Sequence, residues 1–290
     1  MSATPSVVYL AYGRRRFTKA TVFSALTLVH VATRGAPCRL VVYTDAPEIF
    51  DRYGVPCELF PVDIVRDRES SRGNPHRSKL LVIQHCADTF DGPLMFVDGD
   101  TYFMKSPAKL FDWLSSPSHS VLHTREFFIS DETEPRLDKL LRQRRLASPN
   151  PASVYHRPKP VMWNSGVIGL AQANKSLLPE IIDICDHLFV DYPYHAMDQV
   201  ACSLVLENET EIFPADEVVY HYWYGREELT YMTARFLAKN RGLALGELAA
   251  AAYAFQPKVT EGWRAPPTVR ARQLAGRARR RAVRLLGLGF

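Results

Sequence analysis

The sequence lacks the features that would place it in a membrane or outside the cell. Its 290 residues contain no apolar stretch of about 18 residues, so no membrane-spanning helix is predicted. The first residues carry no basic segment, and the apolar run at 7–11 is too short for a secretory signal. The five cysteines form no C-x-x-C pair, and their odd number fits reduced thiols. We therefore expect a cytoplasmic protein.

Acidic residues are missing from the C-terminal end of the chain. Eight arginines follow Glu261 without an aspartate or glutamate among them, so the net charge of +5 derives from this end. This distribution argues against a basic nucleic-acid groove spread over the whole domain. Alanines and leucines recur between the arginines at helical spacing, which predicts an amphipathic segment lying on the anionic inner face of a membrane. A solvated tail and an RNA-binding tail are the alternatives.

We accordingly divide the chain into a folded domain, 1–262, and a basic amphipathic C-terminal tail, 263–290. The hydrophobic content of 47% is sufficient for a substantial core in one large domain. Short apolar runs typical of buried strands alternate in this domain with helical patterns. The first such runs lie at 7–11, 39–44, 57–60 and 94–97. Because strands that alternate with helices form parallel sheets, the sequence predicts an α/β fold with a mainly parallel sheet flanked by helices.

The most informative stretch follows the apolar run at 94–97, which ends abruptly in Asp98-Gly99-Asp100. Ligands of open α/β sheets bind at the carboxyl ends of the strands, where these two acids are expected. Side chains two residues apart on extended backbone point the same way, so both carboxylates can reach one cation. Their hard oxygen ligands suit Mg²⁺ or Mn²⁺. A solvated turn rich in Asp and Gly is the alternative.

Two basic residues begin the helix that is predicted just before this strand. Arg77 and Lys79 lie in its first turn, where the helix dipole disfavours cations unless an anion also binds. The pair therefore indicates a phosphate site, although a solvated basic turn would have the same pattern.

Further polar residues interrupt apolar segments later in the chain. Asn164-Ser165-Gly166 breaks an apolar strand pattern, as either a structural bulge or a ligand contact would. Asp198 lies at the start of a predicted helix, where the helix dipole also favours an acid. His221 lies in an aromatic strand and, taken alone, is more typical of a packed histidine than of a ligand.

Taken in order, Lys79, Asp98-Gly99-Asp100, Asn164-Ser165-Gly166, Asp198-Gln199 and His221 resemble the motifs of GT-A fold glycosyltransferases. The pattern is most similar to the family-eight-like enzymes, such as glycogenin and the lipopolysaccharide galactosyltransferases, over roughly 7–224. The resemblance implies a Rossmann-like GT-A fold. It also implies transfer of a hexose from a nucleoside diphosphate sugar, with a UDP-sugar as the expected donor. The acceptor would be a hydroxyl of a glycan, lipid-linked or other molecule, as in polysaccharide biosynthesis.

The resemblance implies roles for individual residues as well. Mn²⁺ (or Mg²⁺) would be held against the donor diphosphate by Asp98, Asp100 and His221. Asp198 and Gln199 match the segment at the reaction centre, as stabiliser or base. The family carries a lysine after its histidine, whereas here Tyr-Trp-Tyr-Gly-Arg follows His221, so by resemblance Arg226 would replace that lysine on the phosphate. The residues expected to contact the donor are Tyr12, Asp45, Arg77, Lys79, Asp98, Asn164 and Arg226.

Three other functions use similar residues. A haloacid dehalogenase-like phosphohydrolase has an Asp-x-Asp motif with a nucleophilic first Asp, but usually near the N-terminus and with Thr or Val where this chain has Tyr102. A sugar-nucleotide-forming nucleotidyltransferase would need a glycine-rich basic signature, which 7–16 does not contain. A non-catalytic protein that binds a nucleotide sugar or a glycan would use the same Asp98 and Asp100.

The membrane hypothesis for the tail, 263–290, can be tested with vesicles. Deleting 263–290 is expected to abolish co-sedimentation of the protein with vesicles that contain phosphatidylserine, because the arginines and the apolar face are lost together. Vesicles of phosphatidylcholine alone serve as the control for charge. Equal pelleting of the full chain and the truncated chain would contradict the membrane hypothesis.

Overall fold

The computed structural model describes residues 3–33, 35, 37–63, 77–143 and 160–258. The tail predicted at 263–290 lies outside these ranges. Within them, no helix combines the length and the apolar composition needed to cross a bilayer.

The strands are β1 (Ser6–Ala11), β2 (Arg39–Thr44), β3 (Glu58–Pro61), β4 (Leu94–Val97), β5 (Thr101–Phe103), β6 (His119–Leu122), β7 (Arg125–Phe128), β8 (Val161–Trp163), β9 (Val167–Leu170), β10 (Glu211–Pro214) and β11 (Val219–His221). The helices are α1 (Arg15–Ala32), α2 (Pro47–Arg52), α3 (Arg77–Thr89), α4 (Ala108–Trp113), α5 (Pro135–Gln143), α6 (Leu178–Asp191), α7 (Met197–Glu209), α8 (Arg226–Lys239) and α9 (Leu245–Phe255).

Seven strands form the central sheet, in the order β10-β6-β9-β4-β1-β2-β3. β1 pairs in parallel with β2 and β4, β2 with β3, and β6 with β10. Only β9, among the strands of this sheet, runs antiparallel to its neighbours, β4 and β6. The predicted α/β fold with a mainly parallel sheet is thus confirmed.

Both faces of the sheet are buried. Because side chains alternate along a strand, Val7 and Tyr9 of β1 pack into one hydrophobic cluster while Val8 packs into the other. The first cluster is completed by α1, α8 and α9, and the second by α3, α6 and α7. Strands that are apolar on both faces have continuous apolar sequences, and β1, β2 and β4 could be predicted for this reason.

Two small antiparallel sheets lie beside the central sheet. In one, β5 pairs with β11, so that Thr101 is opposite His221. In the other, β7 pairs with β8 through a register shift. β5, β7 and the helices α8 and α9 were not predicted. The run 161–170, predicted as one interrupted strand, is two strands in different sheets, because 164–166 carries the chain from β8 to β9.

The aromatic contact between α1 and the C-terminal helices gives a stability test. Phe23 is fully buried and meets Tyr102, Phe236 and Phe255 edge to face. Phe23→Ala is expected to lower the free energy of unfolding by about 3–5 kcal/mol, because the site cannot fully collapse around the cavity. Phe128→Ala, at a side chain that is 45% exposed, should change it by no more than about 0.5 kcal/mol. Urea unfolding measures both, and equal losses would contradict this packing.

Candidate active site

A cleft of about 710 Å³ opens at the carboxyl ends of β1 and β4. The residues after these two strands, the 164–166 turn and the first turn of α7 all contribute to its lining. The antiparallel β9 begins where β4 ends, and the backbone amide of Asp98 donates to the carbonyl of Gly166 (2.8 Å). The cleft therefore lies where open α/β sheets bind their ligands.

Asp98, Asp100 and His221 converge on the floor of this cleft. Each offers one ligand atom, and the three atoms lie within 4.8 Å of one another. The Nε2 atom of His221 is 3.5 Å from Oδ1 of Asp100 and 3.9 Å from Oδ2 of Asp98. The pairing of β11 with β5 brings His221 beside the Asp-Gly-Asp turn from more than a hundred residues away in sequence. Two carboxylates and one imidazole form a donor set suited to Mn²⁺ or Mg²⁺.

The orientation of the His221 ring fits such an ion. Its Nδ1 lies 2.9 Å from Oδ1 of Asn164, an oxygen that also accepts the backbone N–H of Gly166 (2.9 Å). Because an amide oxygen only accepts, Nδ1 is the donor in this bond. In the neutral form of the ring, Nε2 then carries no proton and its lone pair faces the two carboxylates, which is the arrangement found in metal-bound histidines.

Lys79 is the buried cation of the site. Its ammonium group lies 3.2 Å from Oδ2 of Asp98 and 3.2 Å from Oδ2 of Asp198. The carbonyl and the hydroxyl of Ser165 accept from it as well, both at 3.1 Å. Burial lowers the pKa of Lys79, but the attraction of Asp98 and Asp198 outweighs burial and raises the pKa above its ordinary value. Lys79 therefore remains charged.

The two acids of the Asp-Gly-Asp turn have different environments. Burial raises the pKa of Asp100, but the hydrogen bond and charge of the protonated form of His221, together with Arg226, outweigh burial and lower the pKa to about 2. The Nε atom of Arg226 is 3.0 Å from Oδ2 of Asp100. At Asp98, burial raises the pKa by more than Lys79 lowers it. Asp100 is therefore the more firmly ionised member of the pair.

Asp198 and Gln199, predicted at the reaction centre, both line the cleft. Asp198 is only 2% exposed, and its Oδ2 accepts from the Ser165 hydroxyl (3.0 Å) as well as from Lys79. The Oε1 atom of Gln199 accepts the backbone N–H of Ser165 (3.2 Å). The turn that contains Ser165 is thus held against the first turn of α7.

The remaining predicted residues occupy three different positions. Tyr12 lines the cleft. Asp45 accepts the backbone N–H of Gly13 at 3.0 and 3.2 Å, so it holds the turn after β1, where Gly13 has a φ of +85°. Arg77 was expected to bind phosphate, but its side chain forms a buried ion pair with Asp186 of α6 (2.7 Å) and is not among the residues that line the cleft. Asp186 thus supplies a negative charge at Arg77 from within the fold.

Among the polar residues of the cleft that were not predicted, Glu126 contacts two of the predicted ones. Glu126 of β7 accepts from the side-chain amides of Asn164 (2.9 Å) and Gln199 (2.8 Å). β7 is short and half-buried and carries no motif, so nothing in its sequence distinguishes Glu126 from a surface acid. Only the pairing of β7 with β8 brings Glu126 to the site.

The close approach of Gly166 to His221 gives a test of the metal site. A Cβ at residue 166 would overlap the imidazole ring and lie 2.9 Å from Oδ1 of Asn164. Gly166→Ala is therefore expected to displace the ring and to weaken Mn²⁺ binding by about 10–100-fold, as measured by electron paramagnetic resonance titration. Gly246→Ala, where a Cβ meets nothing within 4 Å, is the matched control. Unchanged Mn²⁺ affinity in Gly166→Ala would show that His221 is not a ligand.

Comparison with known proteins finds similarity in structure alone. No protein-family model and no curated protein matches the sequence. Mouse xyloside xylosyltransferase 1 is 13% identical, with a TM-score of 0.49 over 73% of this chain and 85% of that chain. The glycosyltransferase GlyE of Streptococcus pneumoniae TIGR4 is 9% identical, with a TM-score of 0.49 over 91% of this chain and 66% of that chain.

The galactosyltransferase LgtC, solved in complex with donor and acceptor sugar analogues, is 11% identical, with a TM-score of 0.48 over 89% of this chain and 98% of that chain. All three of these solved structures are glycosyltransferases, and each is similar to this chain at a TM-score below 0.5. Similarity at this level of identity indicates no donor and no acceptor.

Proposed function

We propose that this chain is a metal-dependent glycosyltransferase that transfers a hexose from a nucleoside diphosphate sugar, with a UDP-sugar as the expected donor. The acceptor would be a hydroxyl group of a glycan or lipid-linked molecule. The observation that carries the proposal is the cluster of Asp98, Asp100 and His221 on the floor of the cleft, with the cations of Lys79 and Arg226 on either side. Such a site suits a ligand that combines a diphosphate with a divalent ion.

The charges of the cleft fit the chemistry of this reaction. The oxygen of an acceptor hydroxyl forms a bond to the anomeric carbon while the bond between that carbon and the diphosphate breaks. The hydroxyl proton passes to the diphosphate or to solvent, and negative charge develops on the departing diphosphate. A divalent ion bound to the two carboxylates and the imidazole would neutralise part of that charge. Lys79 adds a positive charge whose position is already fixed by Asp98, Asp198 and Ser165, so little reorganisation is needed during the reaction.

The other residues receive roles from their positions. We assign the donor-sugar side of the cleft to Asn164 and the reaction centre to the first turn of α7, with Asp198 and Gln199. The Asp198 carboxylate acts there through Lys79 and Ser165, because both of these contact its Oδ2. Tyr12, after β1, is assigned to the nucleobase, and Asp45 supports that segment through the Gly13 amide. The 263–290 tail remains the proposed contact with an anionic membrane that carries a lipid-linked acceptor.

Ligand-dependent stability tests the donor site. A nucleoside diphosphate at 100 times its Kd is expected to raise the free energy of unfolding by about 2.7 kcal/mol, seen as a shift in melting temperature. The shift should require Mn²⁺ or Mg²⁺ and vanish with EDTA. It should also vanish in Asp100→Asn, which loses a ligand charge, and persist in the matched variant Asp112→Asn, whose side chain is exposed on α4.

Other outcomes of this experiment would overturn the proposal. No stabilisation by any nucleotide with either metal would contradict the donor site. Hydrolysis of phosphate esters, lost in Asp98→Asn, would favour a haloacid dehalogenase-like phosphohydrolase. Tight binding of a nucleotide sugar without transfer or hydrolysis of its sugar, across a panel of glycan and lipid-linked acceptors, would indicate a non-catalytic binding protein.

A further inference from the structure

Glu126 lines the same cleft as the proposed metal site, and among the described residues it forms no hydrogen bond or ion pair with Asp98, Asp100 or His221. Its two carboxylate oxygens are divided between two amides. Oε1 accepts from Nδ2 of Asn164 at 2.9 Å, and Oε2 accepts from Nε2 of Gln199 at 2.8 Å. Because an ionised carboxylate only accepts, both amides must turn their NH₂ groups towards Glu126 and their oxygens away from it.

The orientation of the Asn164 amide determines which nitrogen of His221 carries the proton. With its NH₂ group on Glu126, Asn164 presents Oδ1 to Nδ1 of His221 (2.9 Å). A flipped amide would present a donor to Nδ1 and would move the proton of the neutral ring to Nε2. That nitrogen could then no longer bind an ion between the two aspartates.

The orientation of the Gln199 amide affects the Ser165 turn, which contacts Lys79. With its NH₂ group on Glu126, Gln199 presents Oε1 to the backbone N–H of Ser165 (3.2 Å). The hydroxyl and carbonyl of the same Ser165 bind the Lys79 ammonium at 3.1 Å. One carboxylate is thus linked through two amides to both the histidine ligand and the buried cation.

We propose that Glu126 is a positioning residue that sets the tautomer of His221 through the Asn164 amide and holds the Ser165 turn through Gln199. The expected effect of Glu126 on metal binding rests on the proposed function. The hydrogen bonds of Glu126 to the two amides do not depend on it. A competing explanation is that the backbone N–H groups of Gly166 and Ser165 suffice to orient the two amides, since each donates to one of their oxygens. Another is that Glu126 only adds negative charge to the cleft.

Two substitutions of Glu126 separate these explanations. Glu126→Gln replaces one acceptor by a donor, so one of the two amides must flip or lose its partner. Glu126→Ala removes both acceptors and leaves only the backbone donors, so an unchanged His221 tautomer in this variant would show that the backbone donors suffice. A positioning role therefore predicts that both variants are impaired and that the Gln variant is impaired more than the Ala variant, although Gln is closer in size to Glu. Loss of charge alone predicts equal effects, and loss of packing predicts that Ala is worse.

The first readout is the tautomer of His221 in the metal-free protein. Nitrogen-15 NMR at pH 8.5 should show a protonated Nδ1 and an unprotonated Nε2 in the wild type, and a partial or complete reversal in Glu126→Gln. His123 is an internal reference, because its Nε2 donates to the carbonyl of Val219 (3.0 Å) and it should keep the Nε2–H tautomer in every variant. The His221 signals are assigned by their loss in His221→Asn.

The second readout is the Mn²⁺ affinity, measured by electron paramagnetic resonance. We expect a loss of at least about tenfold in Glu126→Gln and a smaller loss in Glu126→Ala. Glu211→Gln, at an exposed position of β10, is the matched control and should bind as the wild type does. An unchanged His221 tautomer, or equal losses in the two variants, would overturn the proposal for Glu126. Absence of Mn²⁺ binding in the wild type would contradict the proposed function instead, while the tautomer measurement would still decide the role of Glu126.

Discussion

The ion pairs of Lys79 with Asp98 and Asp198 are the interaction on which the rest of the site depends. Three aspartates, at 98, 100 and 198, are brought together at the end of β4; Asp100 and Asp198 are buried, and Asp98 is partly buried. Buried carboxylates are tolerated only where cations and hydrogen bonds offset the loss of water, and removing one partner of such a pair typically costs about 3–5 kcal/mol. Lys79 supplies this positive charge between two of them, and Arg226 supplies it at the third.

This electrostatic balance explains the path of the chain around the cleft. Lys79 lies in the first turn of α3, which delivers the chain to β4, so cation and acid approach the same end of the sheet from consecutive elements. The antiparallel β9 begins beside the end of β4 and places the Ser165 turn between Lys79 and α7. A parallel strand in the position of β9 would have carried that turn to the opposite end of the sheet.

The two small sheets provide what the central sheet cannot. Parallel strands bring their carboxyl ends to one edge, but in this sheet they do not supply the histidine of the site. The β5–β11 pair carries His221 back to the Asp-Gly-Asp turn, and the β7–β8 pair carries Glu126 to the Asn164 and Gln199 amides. Both pairs contain strands of only three or four residues, which gain stability from packing on the central fold rather than by themselves.

The sequence by itself determined the elements whose signal is local. β2, β4 and β10 were predicted at the residues where they occur, and the Asp98–Asp100 turn was identified as a metal-site candidate because a buried strand ends there. Only the tertiary structure decided that Arg77 pairs with Asp186, that 161–170 divides between two sheets, and that Glu126 joins the site. These outcomes depend on contacts between residues distant in sequence. A charged or polar side chain has the same local pattern whether it meets a ligand, an ion pair or water, so its partner is set by packing and not by its neighbours in the chain.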